Sequence, residues 1–176
     1  MAFFGHDAKG YRRPFDENAT PTCKSRCRAG VDGGGHGSDP CLPGEDPTFT
    51  LGKGELEYQE LDADDGMAEL IHGPQGGYHL NLAVHATFLD PDEPWVARLE
   101  GTIDGELVGA TSPYVTARCN REANALQGWG LLLIWDTTDP TELHGRVTTI
   151  EATITDAAGT VLSDSGDVEI FYPELE

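Results

Sequence analysis

The chain has 176 residues, with 31 Asp and Glu against 11 Lys and Arg, a formal net charge of -20, and it carries 22 Gly and 11 Pro. That length is on the scale of one domain with an appendage, and the Gly and Pro content favours turns over long helices. So acidic a chain lacks the clustered Lys and Arg that draw nucleic-acid phosphate or anionic lipid, and no run approaches the roughly 18 apolar residues of a membrane-inserted helix.

Residues 1–46 show neither a helical nor a strand period. The opening "MAFFGHDAKGYRRPF" has no apolar run leading to a small-residue cleavage site, so no signal peptide is read there. Residues 1–40 hold six cations and five anions, which leaves a net charge of -21 on residues 41–176. The stretch "RAGVDGGGHGSDPCLPGEDP" lacks an apolar face and predicts an irregular Gly/Pro/Cys-containing arm over residues 1–46.

The four cysteines are Cys23, Cys27, Cys41 and Cys119. An even count in a loop-rich chain suits disulfides and an oxidising, extracytoplasmic location: periplasm, cell surface or secreted. Cys119 stands alone beyond the arm, so full pairing must join it to one of the other three, whatever the connectivity. The competing reading is a Cys₃His zinc set, Cys23-x3-Cys27-x8-His36-x4-Cys41, which would leave Cys119 over.

From Pro47 onward, short alternating runs separated by turn signals predict an all-β domain over residues 47–176. Asp62, Asp64 and Asp65 with Gly66 suggest a calcium loop, but the glycine arrives one place early for an EF-hand and no flanking helices are visible. A hairpin turn is the preferred reading. "MAELIH" then pairs with "GYHLNLAVHATFL", in which Tyr78, Leu80, Leu82, Val84, Ala86 and Phe88 share one face. His79, Asn81, Ala83, His85 and Thr87 share the other. "EPWVARLEGTI" places Trp95, Ala97, Leu99 and Ile103 together, and Asp104-Gly105 fits a two-residue hairpin turn into "ELVGA".

"SPYVTARC" reads as a further short strand, and "NREANALQG" allows a helical turn or two. "GWGLLLIWD" is apolar on both faces, as in a central strand covered on each side, with Trp129, Leu131, Leu133 and Trp135 sharing one face. "VTTIEATITD" alternates through Ile150, Ala152 and Ile154, and Ala157-Ala158-Gly159 turns the chain into "TVLSDSGDVEIFY". Seven to nine strands at intervals of about 8–12 residues predict an antiparallel β-sandwich. Parallel α/β architecture would need crossover helices, and none is legible. The last hairpin resembles the final strands of bacterial immunoglobulin-like and fibronectin-III-like domains, although the Cys…Trp…Cys spacing of antibody domains is missing.

"HGPQGGYH", His72 to His79, is the stretch with the most chemical ambiguity. It lacks the Gly-Lys-Ser/Thr that a phosphate loop needs, and a strand follows it instead of a helix. Gly73, Pro74, Gln75, Gly76 and Gly77 read as the connection between two strands, proline presetting φ and the glycines supplying positive φ. In one register His72 faces His79 and the pair could hold zinc or copper. His85 is too far along the strand to complete the site.

"LIHGPQGGYHLNL", with "DADDG" before it and "LDPD" after it, resembles a segment of uncharacterised extracellular proteins and lipoproteins of myxobacteria and relatives. There a G-P-Q-G-G-aromatic-His turn leads into the first long strand of a β-sandwich. The likeness covers Leu61 to Asp92 and implies fold and location. It implies no activity, and the lipobox of the lipidated members is missing from this chain.

No H-E-x-x-H, G-x-S-x-G or G-x-G-x-x-G is present, so no catalytic residue is nominated and no cofactor is expected. The expected function is a non-catalytic extracytoplasmic binding or structural module of the envelope or surface. Its partner would be a protein or surface ligand, neither nucleic acid nor a membrane interior, with the Gly73–Gly77 loop as the contact surface. One alternative is a metal-binding protein using His72 and His79 or the Cys23/Cys27/His36/Cys41 set, with a divalent cation as partner. A second is a carbohydrate-binding module using Trp95, Trp129 and Trp135.

Overall fold

A period of two in the side chains gives each strand one apolar face, and two such sheets bury those faces against each other. In the computed structural model, which describes residues 39–176 apart from Gln75 and Glu176, this produces an all-β sandwich. The expectations at Cys23, Cys27, His36 and Gln75, and for the arm up to residue 38, lie outside the described residues.

The strands are β1 (Thr48–Lys53), β2 (Gln59–Glu60), β3 (Met67–Glu69), β4 (Ile71–His72), β5 (Tyr78–Thr87) and β6 (Trp95–Ile103). They continue with β7 (Glu106–Thr111), β8 (Tyr114–Val115), β9 (Arg118–Asn120), β10 (Ala125–Ile134), β11 (Val147–Thr155) and β12 (Val161–Phe171). One sheet runs β2-β1-β5-β10-β9, with β4 on β5. The other runs β3-β12-β11-β6-β7, with β8 on β6. All pairings are antiparallel except β3 with β12. Among the described residues, no helix is long and apolar enough to cross a membrane.

Two predicted strands are each split between the sheets. "MAELIH" gives β3 to one sheet and β4 to the other, crossing at Leu70, which is buried and donates its N–H to Phe171 O at 2.7 Å. "SPYVTARC" does the same: β8 pairs with β6, and β9 pairs with β10. Each split closes one flank of the sandwich, and the two splits together with the two-residue β2 raise the number of strands above the seven to nine expected.

Leu80, Leu82, Val84, Leu131 and Leu133 of the first sheet face Ala97, Leu99, Ile150, Ala152, Ile154, Val168 and Ile170 of the second, all buried. Full burial of one such side chain is worth roughly 1.5–3 kcal/mol. The Asp104-Gly105 turn forms as expected, both residues having positive φ and Ile103 pairing with Glu106. Asp156 is buried and holds two loops together. Its carboxylate accepts from Thr160 N within its own hairpin at 2.7 Å and from Asp90 N at 3.0 Å. Lys53 is buried as well, its ammonium donating to the carbonyls of Ala63 and Met67 and fixing the turn before β3.

Three expectations are corrected. Phe88 leaves the core face of β5, because its φ of 61° breaks the alternation and sends Leu89 inward instead. The "GWGLLLIWD" strand is not covered on both sides along its length: Leu132 and Ile134 are exposed. A bulge at Gly130, φ 70°, shifts the register between Trp129 and Leu131, so Trp129 joins the outer face while Leu131, Leu133 and Trp135 stay inside. "NREANALQG" makes a tight turn, with Asn124 at positive φ, and no helix.

Candidate binding cleft

Beyond Gln127, the last residue of β10 paired to β9, strand β10 has no neighbour on that side among the described residues. It regains one only near Ile134, whose N–H donates to Thr111 Oγ1 at 3.1 Å, and at Trp135, which bridges to Gly109. Between these points the crossing segment of β8 and β9 stands off from β10 and leaves a cleft of about 420 Å³. Pro113, Tyr114, Arg118, Trp129, Leu132 and Ile134 line it. Tyr114 is 76% exposed, Leu132 39% and Ile134 47%, so the cleft presents apolar and aromatic surface to solvent. The Gly130 bulge sets its floor, donating its N–H to Gly54 O at 3.0 Å where the chain folds back over β5.

The cleft is also the place of a free positive charge. Four of the five described cations are paired: Lys53 with Asp64, Arg98 with Glu100, Arg121 with Asp39 and Arg146 with Asp104. Arg118 is exposed at the mouth of the cleft and has no carboxylate within ion-pair range among the described residues.

The predicted histidine pair does not face itself. His72 pairs with Tyr78 and His79 with Ile71, because the connection is the five residues 73–77 and a six-residue loop would be needed to oppose the two imidazoles. A one-residue slip puts them on opposite faces. His72 instead lies 5.1 Å from the Tyr78 ring, while the His79 ring lies over Gly73. The loop itself is a turn, with Gly73 N–H donating to Gly77 O and Gly76 N–H to Gly73 O, both at 3.0 Å, and Gly76 and Gly77 at positive φ. Among the described residues, no three His, Cys, Asp or Glu side chains converge as a metal set.

Cys41 is bonded to Cys119, so the Cys41 sulfur is committed to that bond and not to a Cys₃His set. Trp95 and Trp135 are buried in the core, and Trp95 Nε1 donates to Asp90 O at 2.6 Å. Of the three tryptophans only Trp129 reaches the surface cleft, where Tyr114 joins it. Asp64 and Asp65, both at positive φ, sit in the tight turn that leads into β3. A second hollow of about 440 Å³ lies between the Asp104-Gly105 turn and the loop after β10. Asp104, Glu106, Asp136 and Glu142 line it, with Arg146 donating to Asp104 at 2.6 Å.

On the outer face of the first sheet a polar row crosses three strands. Asn120 donates to Gln127 Oε1 at 2.9 Å, Gln127 Nε2 lies 3.5 Å from His85 Nδ1, and the Tyr58 ring is 5.2 Å from His85. Burial lowers the pKa of His85, with Glu60 acting in the opposite sense.

Sequence reasoning preferred Trp129 in the core, offering it to a ligand only with Trp95 and Trp135 in the carbohydrate alternative, and it missed Tyr114, Arg118 and the open edge of β10. The available signal was "SPYVTARC" itself, whose proline and short apolar runs suit a strand that changes sheets. No protein-family model matches the chain, and no curated protein matches it.

Proposed function

We propose that this protein is a non-catalytic, extracytoplasmic binding module whose ligand surface is the cleft along β10. The observation that carries the reading is that cleft: two aromatic rings, two exposed aliphatic side chains and an arginine with no carboxylate partner among the described residues, gathered at one flank of the sandwich. The Cys41–Cys119 bond supports a location where disulfides persist.

The strand order supports an immunoglobulin-like arrangement. β1-β5-β10-β9 stands where such domains place A-B-E-D, and β12-β11-β6-β7 where they place G-F-C and an added C′ strand. The likeness of Leu61 to Asp92 to a segment of extracellular myxobacterial sandwich proteins supports the same reading.

A carbohydrate ligand is the second reading. Tyr114 and Trp129 in one cleft favour it, since exposed rings stack on sugar faces. The test is a panel of immobilised glycans and displayed peptides, screened against the wild type and Tyr114→Ala. Binding that the variant weakens about tenfold supports the site. Equal retention of the two proteins across the whole panel overturns it.

A further inference from the structure

We infer that the cleft takes an extended peptide which adds as a short strand to β10 and offers a carboxylate to Arg118. This rests on the binding reading above and names the ligand class. Direction of the backbone is the first argument. Ile134 N–H points away from β5, since it donates to Thr111 Oγ1. Along a strand, residues two apart point their backbone groups the same way, so the N–H and C=O of Leu132 face the cleft. No described strand pairs with Leu132 on that side; its one register partner is Asn81 of β5. An unpaired strand edge is a template for another strand.

The side chains are the second argument. Leu132 and Ile134 are exposed beside the Tyr114 and Trp129 rings, which suits apolar side chains spaced two apart on an incoming chain. A glycan would use the rings and leave both the aliphatic surface and the Leu132 amide unmatched.

Charge is the third. The body repels polyanions, yet Arg118 is the one described cation without a carboxylate partner and it lies in this cleft. A single carboxylate on an otherwise apolar peptide fits both facts: an acidic side chain or a free C-terminus.

The experiment is selection from a displayed library of random nine-residue peptides with free C-termini on the full chain. Enriched peptides are then synthesised for amide NMR and affinity measurement. Peptides that share a carboxylate at one position, shift the Leu132 amide and lose about tenfold in affinity on Arg118→Gln are the expected result. Replacing the peptide carboxylate by an amide should cost the wild type that same factor and cost Arg118→Gln little. N-methylation at alternate peptide residues should abolish binding by blocking the new ladder.

Enriched peptides that leave the Leu132 amide unmoved, or no enrichment over Tyr114→Ala, overturn the inference. In that event, glycan binding lost on Tyr114→Ala keeps the cleft as a binding site and corrects only its ligand. Loss of neither glycan nor peptide binding in that variant removes the site itself.

Discussion

His85 shows how the surroundings of one side chain on the outer face shift its protonation. Gln127 uses its carbonyl to accept from Asn120, which leaves its amide 3.5 Å from His85 Nδ1, where the Nε2–H tautomer of the neutral ring offers a lone pair. The protonated ring offers none. Burial acts in the same direction, holding the folded value below the ordinary 6.5, and His79 is lowered by burial too, against the pull of Glu55. The folded chain therefore binds fewer protons than the unfolded chain. The stability concerned is present above about pH 6.5 and is lost as pH falls through the folded values. Protonation of carboxylates relieves the self-repulsion of a -20 chain over part of the same range, so a difference between proteins is the proper readout. On moving from about pH 7.5 to about pH 5.5, the urea midpoint of His85→Gln should fall less than that of the wild type. Equal falls would mean that the Gln127 contact does not set the ring's protonation.

At the scale of elements, the close approach of β6 to the end of β10 fixes how the sheets join. Gly101 leaves room for Trp135: a Cβ there would stand 2.7 Å from two atoms of the indole ring. Gly101→Ala should cost about 1–3 kcal/mol by overpacking, read as a lowered denaturation midpoint with a shifted tryptophan emission. An unchanged midpoint would show that the indole has space to move. β6, β11 and the Asp104-Gly105 hairpin were legible because alternation and turn chemistry are local properties of ten or so residues. The register of His72 against Tyr78 was not legible, since it depends on how the loop of residues 73–77 closes on itself. The bulge at Gly130 was not read either, although a lone glycine inside an apolar strand run is a signal for one. The cleft was the least legible feature, because Tyr114 and Trp129 come to line one cleft only after the segment between β7 and β10 has changed sheets.

On the scale of the whole molecule, one covalent bond spans much of the chain. Cys41 and Cys119 are 78 residues apart in sequence, and closing a loop of that length is worth about 4 kcal/mol through the entropy of the unfolded state. The double variant Cys41→Ser/Cys119→Ser should lose stability of that order in chemical denaturation, and added reductant should then change the variant's midpoint less than the wild type's. A double variant as stable as the wild type would mean that Asp39–Arg121 and the sheet already hold this segment. The same bond has a mechanical consequence. When the two termini are pulled apart, tension runs along the chain to Cys41, crosses the sulfurs to Cys119 and leaves through β10, β11 and β12. Residues 42–118 form a closed ring outside that path, so no load between the termini can extend them. A single-molecule pulling trace should lengthen on adding reductant by the contour of that hidden ring, about 3.3–3.6 Å for each residue released.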